Sequence, residues 1–360
     1  MTVFVLIIAV VLIGVIEYIS LKNSLDNVEE EYSTSALCTE PEEQLDLILR
    51  FSSLSRLPVP YLRWQMTLPA GFRLATPGES RIRGARLMDV WNRDDVSEGT
   101  LWLRPKQSKE ICVPVTAPGR GRYALGELRL FGGDFLGLRE TSRSTLLYRE
   151  IVVYPEEAKL GPLEDAFSGF LGDLSVRHFL FEDPVLTLGS RSYTGREPMR
   201  AISWKQSARL SEIMVKNYDH TTEPAVSVIL DAAGGEGRDS ELLERCFELA
   251  RAVCAKLEEK GAKYDFSMNV SMAGSMSTEC DVPEGLGRRH FLGVLECLGR
   301  ATYRKCSGLE KLVRGRLRTA SARGFVIIMP AQNDNVRKAV KTASASGAAV
   351  FVLEAEGMAV

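Results

Sequence analysis

The chain has 360 residues and a formal net charge of -2 at neutral pH; 45% of its residues are hydrophobic and 26% are charged. This composition is ordinary for globular proteins, and the length predicts two or three domains with a sizeable core. The small net charge offers no general attraction to nucleic acid, and the sequence carries no C2H2, recognition-helix or RNA-binding aromatic motif. Nucleic acid is therefore excluded as an expected partner.

The first 21 residues predict a membrane anchor. Val3 to Ile16 is apolar apart from Gly14, and Glu17 is the one charge between Met1 and Leu21. A helix of this length makes about one bilayer crossing at about 1.5 Å per residue. A cleaved signal peptide is the alternative, but the segment has no basic leader and no small-x-small cleavage site before Ser20. We therefore expect a single-pass protein of the cell membrane that contacts lipid through residues 1–21.

The cysteines indicate the compartment of the soluble body. The chain has seven, an odd number, without a CxxC pair or a disulfide-framework spacing. Such usage is typical of a reducing compartment. Lys22 alone follows the span closely, so the positive-inside rule gives little further information. We expect a cytoplasmic body.

Residues 22–43 are polar and acidic without a hydrophobic period, and they predict a polar tether. Residues 44–155 carry strand signals, because Leu62, Trp64 and Met66 alternate with polar residues. Turn residues separate further short apolar runs, for which strands are expected at 110–115, 125–131 and 146–154. The segment predicts an antiparallel β-sandwich domain, Ig-like in outline.

Residues 156–211 predict a connector, and residues 212–360 an α/β domain. The expected strands of that domain are 226–230, 264–270, 325–329 and 348–353, and the expected helices are 241–260, 287–300, 308–319 and 333–343. Alternating strands and helices favour right-handed crossovers and a mostly parallel sheet covered on both faces. The fold class is therefore α/β plus all-β, with a Rossmann-like C-terminal domain.

Residues 189–209 combine glycines, a proline, aromatic residues and arginines more densely than a regular element requires, and predict a sharp loop followed by an extended segment over residues 200–205. The stretch resembles the hallmark of the "domain of unknown function 58" family. The matching residues are Tyr193, Gly195, Arg200, Ile202, Trp204, Ala208 and Arg209. Residues 120–126 and 134–138 also resemble signatures of that family. The family's Gly-Asp pair is replaced by Gly195-Arg196-Glu197, so the acid is displaced by one position.

The resemblance implies a von Willebrand factor A-like domain in a non-enzymatic membrane scaffold. Members of the family commonly accompany MoxR-type AAA+ ATPases, and often transglutaminase-like membrane proteins. Both are therefore expected partners, in protein-complex assembly or a cell-envelope process.

Two interpretations of the hallmark segment are open. In the first, Glu197 pairs with Arg200 or Arg209 while Tyr193 and Trp204 are buried between two domains as a clasp. In the second, the arginines offer bidentate donors to a carboxylate on a partner protein.

Asp231 follows an apolar strand, at the position where open α/β sheets bind ligands. Metal-binding relatives of the family have two hydroxyl residues after this aspartate, and here those positions are Ala233 and Gly235. A lone carboxylate is a poor site for a hard cation, so we expect a degenerate site without metal or cofactor. A metal-dependent ligand-binding module remains an alternative. A cell-envelope hydrolase is a second alternative, although no nucleophile with a nearby base can be named.

Overall fold

The computed structural model describes residues 2–74, 81–83, 89–93, 96–180, 187–195, 199, 202–218, 225–232, 240–274, 280–319 and 324–356. These residues form a mixed α/β structure with several β-sheets and an N-terminal apolar helix. The chain divides into two compact units. The first comprises residues 1–156 together with 295–301, and the second comprises residues 157–294 together with 302–360.

The helices of the described residues are α1 (Thr2–Asp26), α2 (Leu163–Leu180), α3 (Trp204–Leu210), α4 (Ser240–Lys260), α5 (Arg288–Arg300), α6 (Leu309–Thr319) and α7 (Asp334–Ala345). The strands of the first unit are β1 (Val28–Thr34), β2 (Cys38–Thr39), β3 (Gln44–Ser53), β4 (Val59–Thr67), β5 (Arg73–Leu74), β6 (Arg81–Arg83), β7 (Asp89–Arg93), β8 (Val96–Leu103), β9 (Ser108–Thr116), β10 (Gly121–Gly133) and β11 (Glu140–Val153). Those of the second are β12 (Thr187–Ser192), β13 (Met214–Tyr218), β14 (Ala225–Leu230), β15 (Lys263–Met268), β16 (Val270–Met272), β17 (Cys280–Gly285), β18 (Ala301–Lys305), β19 (Gly324–Met329) and β20 (Ala349–Glu354), although the first residue of β18 belongs to the first unit.

The candidate membrane helix is α1. Its stretch Phe4–Lys22, 19 residues, is long and apolar enough to cross a membrane, and a signal sequence would have the same properties. Towards its C-terminal end, one face packs on β4, β10 and β11 of the first unit, and Ser20 and Leu25 are buried there. Residues such as Phe4, Leu6 and Tyr18 remain exposed.

Two sheets of the first unit enclose one hydrophobic core. Their strand orders are β1-β3-β9-β5, with β6 also pairing with β9, and β2-β11-β10-β4-β8-β7. The expected alternation is present in β4, where Leu62, Trp64 and Met66 are buried. They share the core with Leu47 and Phe51 of β3, from the other sheet. The strands expected at 110–115 and 125–131 are confirmed within β9 and β10, and the one expected at 146–154 is confirmed by β11, which ends one residue earlier.

The prediction of a tether over residues 22–43 is wrong in its local structure. The helix continues to Asp26, and β1 pairs antiparallel with β3 from Val28 to Thr34. Val28 and Tyr32 are 3% exposed in the core. Glu29 and Glu31 face outward, while Glu30 is held by Arg143 and Thr145. Only pairing with β3 makes the sparse apolar positions a strand.

The largest sheet of the second unit has the order β17-β15-β14-β19-β20. The pairs from β15 through β20 are parallel, and β17 is antiparallel to β15 at the edge. All residues of β14 and β19 are buried, because α4 packs on one face while α6 and α7 pack on the other. Continuous apolar strands are what a sheet covered on both faces requires.

The helices expected at 241–260, 287–300, 308–319 and 333–343 are confirmed as α4 to α7 within two residues at each end. The strand expected at 264–270 is interrupted, because β15 ends at Met268 and β16 begins at Val270. The connector prediction missed α2, an 18-residue helix whose glycines at 169 and 172 had weakened the helical pattern. Phe167 of α2 is fully buried, near Phe351 of β20.

Candidate functional site

The motif-rich segment folds back on itself as a small module. Strands β12 and β13 pair antiparallel, and Ile202 forms an isolated bridge to Val215. The Ser203 N–H donates to the Met214 carbonyl at 2.8 Å, and the Met214 N–H donates to Ser207 Oγ at 2.8 Å. Ser207 Oγ also donates to the Ser203 carbonyl at 2.9 Å, so this hydroxyl links the start of α3 to the strand that follows it. The segment is therefore held by local hydrogen bonds.

Two of the predicted residues shape the loop that enters this module. The Tyr193 N–H donates to the Ile213 carbonyl at 2.8 Å, and the tyrosine side chain is half-buried. Gly195 has a φ of +90°, a left-handed conformation that side chains with a Cβ rarely adopt. The glycine is therefore required by the backbone of the turn.

The expected burial of Trp204 is wrong. Ile202 is 7% exposed, whereas 64% of the Trp204 surface is exposed. The expected extended segment also ends earlier than predicted, because α3 begins at Trp204. Three more large apolar side chains of this module are mostly exposed: Met199 at 71%, Leu210 at 57% and Ile213 at 50%.

The structure describes only some of the charged residues of the hallmark segment. Arg209 lies in the last turn of α3 and is exposed. Glu197 and Arg200 lie outside the described residues. The expected pairing of Glu197 with Arg200 or Arg209 and the contact of the arginines with a partner protein stay predictions, whereas the clasp lacks the buried Trp204 that it requires.

Asp231 lies just beyond the carboxyl end of β14 and is fully buried. Its N–H donates to the Ile328 carbonyl of β19 at 2.8 Å. Its Oδ1 accepts a hydrogen bond from Asn269 Nδ2 at 2.5 Å, while Asn269 Oδ1 accepts from the Ala232 N–H at 2.7 Å. The Asn269 side chain thus links the ends of β14 and β15 through its hydrogen bonds to Asp231 and Ala232.

Asn269 is a site residue that the sequence reasoning missed. It is fully buried in the break between β15 and β16. Its backbone also takes part, because its N–H donates to Leu230 O at 3.2 Å and its carbonyl accepts from the Cys306 N–H at 2.8 Å. The sequence did carry a signal for it: Asn269 directly follows β15, as Asp231 directly follows β14. Both strands end at the same edge of the sheet.

Burial also affects a thiol near this edge. The pKa of Cys246, on α4, is raised to about 12, chiefly by burial and further by the negative charge of Asp231. Since the thiolate is the reactive form, Cys246 is a poor nucleophile at neutral pH. It behaves as the small hydrophobe that its place on the apolar stripe of the helix predicts.

The described donors around Asp231 do not make a cation site. They supply one buried carboxylate, with Oδ1 engaged by Asn269, and one amide. Magnesium takes about six oxygens in octahedral geometry and calcium six to eight. Among the described residues no group of three or more His, Cys, Asp or Glu side chains is placed to hold a metal ion. Ala233 and Gly235 lie outside the described residues.

A second buried polar cluster crosses the sheet on the face covered by α6. Ser227 Oγ donates to Asp265 Oδ2 at 2.7 Å, and Arg316 Nε lies 3.1 Å from Asp265 Oδ1. Arg316 also pairs with Asp281 of β17. Burial raises the pKa of Asp265, while Arg316 and the Ser227 hydrogen bond act in the opposite direction. The sequence reasoning also missed this cluster. Its signal was a polar residue inside each of two apolar strands, Ser227 in β14 and Asp265 in β15.

No protein-family model matches the chain, and no curated protein matches it. Among solved structures, it is similar to the bacterial hydrophobin BslA at 13% identity and a TM-score of 0.26, covering 36% of this chain and 96% of that one. It is similar to the CARDB domain of the PF1109 protein from Pyrococcus furiosus, solved with di-metal ions, at 14% identity and a TM-score of 0.20, covering 35% and 90%. A non-cellulosomal cohesin from Archaeoglobus fulgidus has 9% identity and a TM-score of 0.22, covering 35% and 84%. Likenesses this weak assign neither a family nor a function.

Proposed function

We propose that the protein is a non-enzymatic scaffold anchored in the cell membrane by α1, with an Ig-like β-sandwich and a degenerate von Willebrand A-like domain. Its partner is a MoxR-type AAA+ ATPase, and a transglutaminase-like membrane protein is a further candidate. The observation that carries the proposal is the exposure of Trp204 and its apolar neighbours on a module held by hydrogen bonds. The body lies in the cytoplasm, as its cysteine pattern indicates.

The order of the main sheet supports the von Willebrand A assignment. Counting the strands from β14 to β20 in the sheet, the spatial order is third, second, first, fourth and fifth, with the third strand antiparallel. This order places β14 in the centre and Asp231 at its carboxyl end, where ligands bind in doubly wound sheets. Asn269 Nδ2 donates a hydrogen bond to Asp231 Oδ1 at 2.5 Å, and this contact favours a structural role for Asp231.

The exposed side chains of the module support a protein partner. Tryptophan and arginine are enriched among the residues that dominate protein interfaces. Trp204 begins α3 and Arg209 lies in its last turn, while Ser207 Oγ ties that helix to Met214. A fixed helix with an exposed tryptophan loses little side-chain freedom when a partner covers it.

The test is binding of the cognate ATPase to the full-length protein in detergent, measured without nucleotide, with ADP and with ATP. We expect Trp204→Ala to weaken binding about 30-fold or more, because truncating an interface hot spot costs about 2 kcal/mol or more. Arg209→Ala is expected to weaken binding in the same direction. The control is Leu292→Ala on α5, which removes an apolar side chain that is 40% exposed in the same unit.

Binding that is absent in every nucleotide state would reject the ATPase partnership. Binding that is equal for the parent and the Trp204→Ala protein would reject the module as the contact surface. Loss of binding in the Leu292→Ala control would mean that the effect is not specific to the module.

A metal-dependent ligand-binding module is the competing function, since Asp231 stands at the edge where such sites form. It requires that magnesium or manganese raise the melting temperature of the parent and that Asp231→Ala abolish the rise. We expect neither cation to change the melting temperature, because the described donors fall short of an oxygen shell.

A further inference from the structure

The loop between β10 and β11 presents three large apolar side chains at a single tip. Phe135 is 53% exposed, Leu136 is 60% exposed and Leu138 is 76% exposed. Contiguous exposed apolar surface on a soluble body marks a binding or membrane-contacting surface. These three residues are called the hairpin tip below.

The tip is a built structure. Asp134 is 4% exposed, and its two carboxylate oxygens accept hydrogen bonds from the Leu138 N–H at 2.8 Å and the Arg139 N–H at 3.1 Å. Gly137 has a φ of +69°, which closes the turn in a conformation that favours glycine. Because the buried aspartate holds the loop, the apolar side chains are not needed to fold it and are directed outward.

The tip lies beside the apolar helix. The Leu136 N–H donates to Glu17 Oε2 of α1 at 3.4 Å. Past Glu17, α1 carries no charge through Leu21, and the next charge is Lys22. The five residues from Glu17 to Lys22 correspond to about 7 Å along a helix. If α1 spans a bilayer to Lys22, the tip lies about 7 Å below the level of that lysine, the depth of interfacial apolar groups.

Basic side chains flank the hairpin tip, as is favourable at a membrane–water interface. Lys22 and Arg139 are exposed, and both have side chains long enough to reach headgroups. Glu140, the nearest acid on β11, is paired with Arg63 at 3.1 Å. Glu17, the one acidic residue of the apolar stretch, accepts a hydrogen bond from the Leu136 N–H of the tip.

We propose that the hairpin tip is a second membrane-contacting element, in which Phe135, Leu136 and Leu138 enter the outer acyl region of the leaflet from which α1 emerges. The proposal rests on the membrane anchoring proposed above. The lipid bilayer is the occupant, because the tip continues the apolar surface of α1 at the same depth. Two contacts, helix and hairpin, fix the tilt of the first unit against the membrane, which one helix alone would leave free to rotate.

The test uses tryptophan reporters in the full-length protein, reconstituted in phosphatidylcholine vesicles with or without bromine near the headgroup end of the acyl chains. The variants are Tyr18→Trp, Phe135→Trp, Leu138→Trp and Leu146→Trp, and the emission of the unsubstituted protein is subtracted. Each substituted side chain is mostly exposed, so the fold tolerates the change. Leu146 is the matched control, because it is 83% exposed on the same hairpin. It lies about 20 Å further along β11 than Glu140.

We expect brominated lipid to remove emission from the Phe135→Trp and Leu138→Trp proteins to an extent comparable with the Tyr18→Trp protein, with a blue-shifted spectrum. The Leu146→Trp protein should keep its emission. Quenching of Tyr18→Trp without quenching at 135 and 138 would overturn the tip proposal and leave the anchor intact. Absence of quenching at position 18 would reject the anchor itself, and the tip proposal with it.

Discussion

Arg316 is the side chain on which the buried polar cluster of the second unit depends. Its side chain is 10% exposed, and it reaches from α6 to Asp265, which is 1% exposed on β15. A buried ion pair is weak evidence for net stability, because both charges lose water. Removing one partner is costly, because the other charge then stays buried without compensation. The cluster therefore makes the packing of α6 on the sheet sensitive to single substitutions.

We predict that Arg316→Leu lowers the free energy of unfolding by about 3 kcal/mol or more. The measurement is chemical denaturation of the full-length protein in detergent. The control is Arg314→Leu on the same helix, where the arginine is 66% exposed and pairs with Glu310. Exposed pairs of this kind contribute about 0–1 kcal/mol. Equal effects of the two substitutions would contradict a buried, strongly coupled Arg316.

A buried tryptophan on β4 requires a glycine at the paired position on β8. Trp64 pairs with Gly99 in the antiparallel register, and Trp64 is fully buried. A Cβ built on Gly99 would lie 2.9 Å from the Trp64 ring. The glycine therefore makes room for the largest side chain of the core, and its φ is not the reason for it.

We predict that Gly99→Ala destabilises the protein by about 1–3 kcal/mol, the usual cost of overpacking. Thermal unfolding followed by tryptophan fluorescence would measure the change. Gly126→Ala on β10 is the control, because no heavy atom lies within 4 Å of its built Cβ. A melting temperature that is unchanged by Gly99→Ala would show that Trp64 can move, against the packing described here.

At the scale of the whole molecule, the N-terminal apolar helix runs directly into the folded body. α1 ends at Asp26 and β1 begins at Val28. Thr145 Oγ1 donates to Glu30 of β1 at 2.6 Å, and Arg143 pairs with the same carboxylate. The short connection leaves the first unit little freedom relative to α1, which agrees with a body that touches the bilayer at a second point.

We predict that a chain beginning at Asn23 folds and stays soluble, whereas one beginning at Ala36 is destabilised and aggregates. The shorter chain lacks β1, whose Val28 and Tyr32 are each 3% exposed. Losing two buried side chains of this kind costs about 3 kcal/mol or more. It also uncovers the edge of β3, a template for aggregation. Equal solubility and equal melting temperatures of the two chains would contradict the assignment of β1 to the core.

The sequence by itself determined the apolar helix, the alternating strands of the first unit and, between residues 225 and 354, the four helices and the four parallel strands β14, β15, β19 and β20, but not β16, β17 or β18. Each of these is a local property, since a hydrophobic period is carried by neighbouring residues. Only the tertiary structure decided that Asn269 binds Asp231, because the two are 38 residues apart and meet where parallel strands end together. It likewise decided that residues 28–34 form a strand and that Trp204 is exposed, because pairing and burial depend on distant parts of the chain.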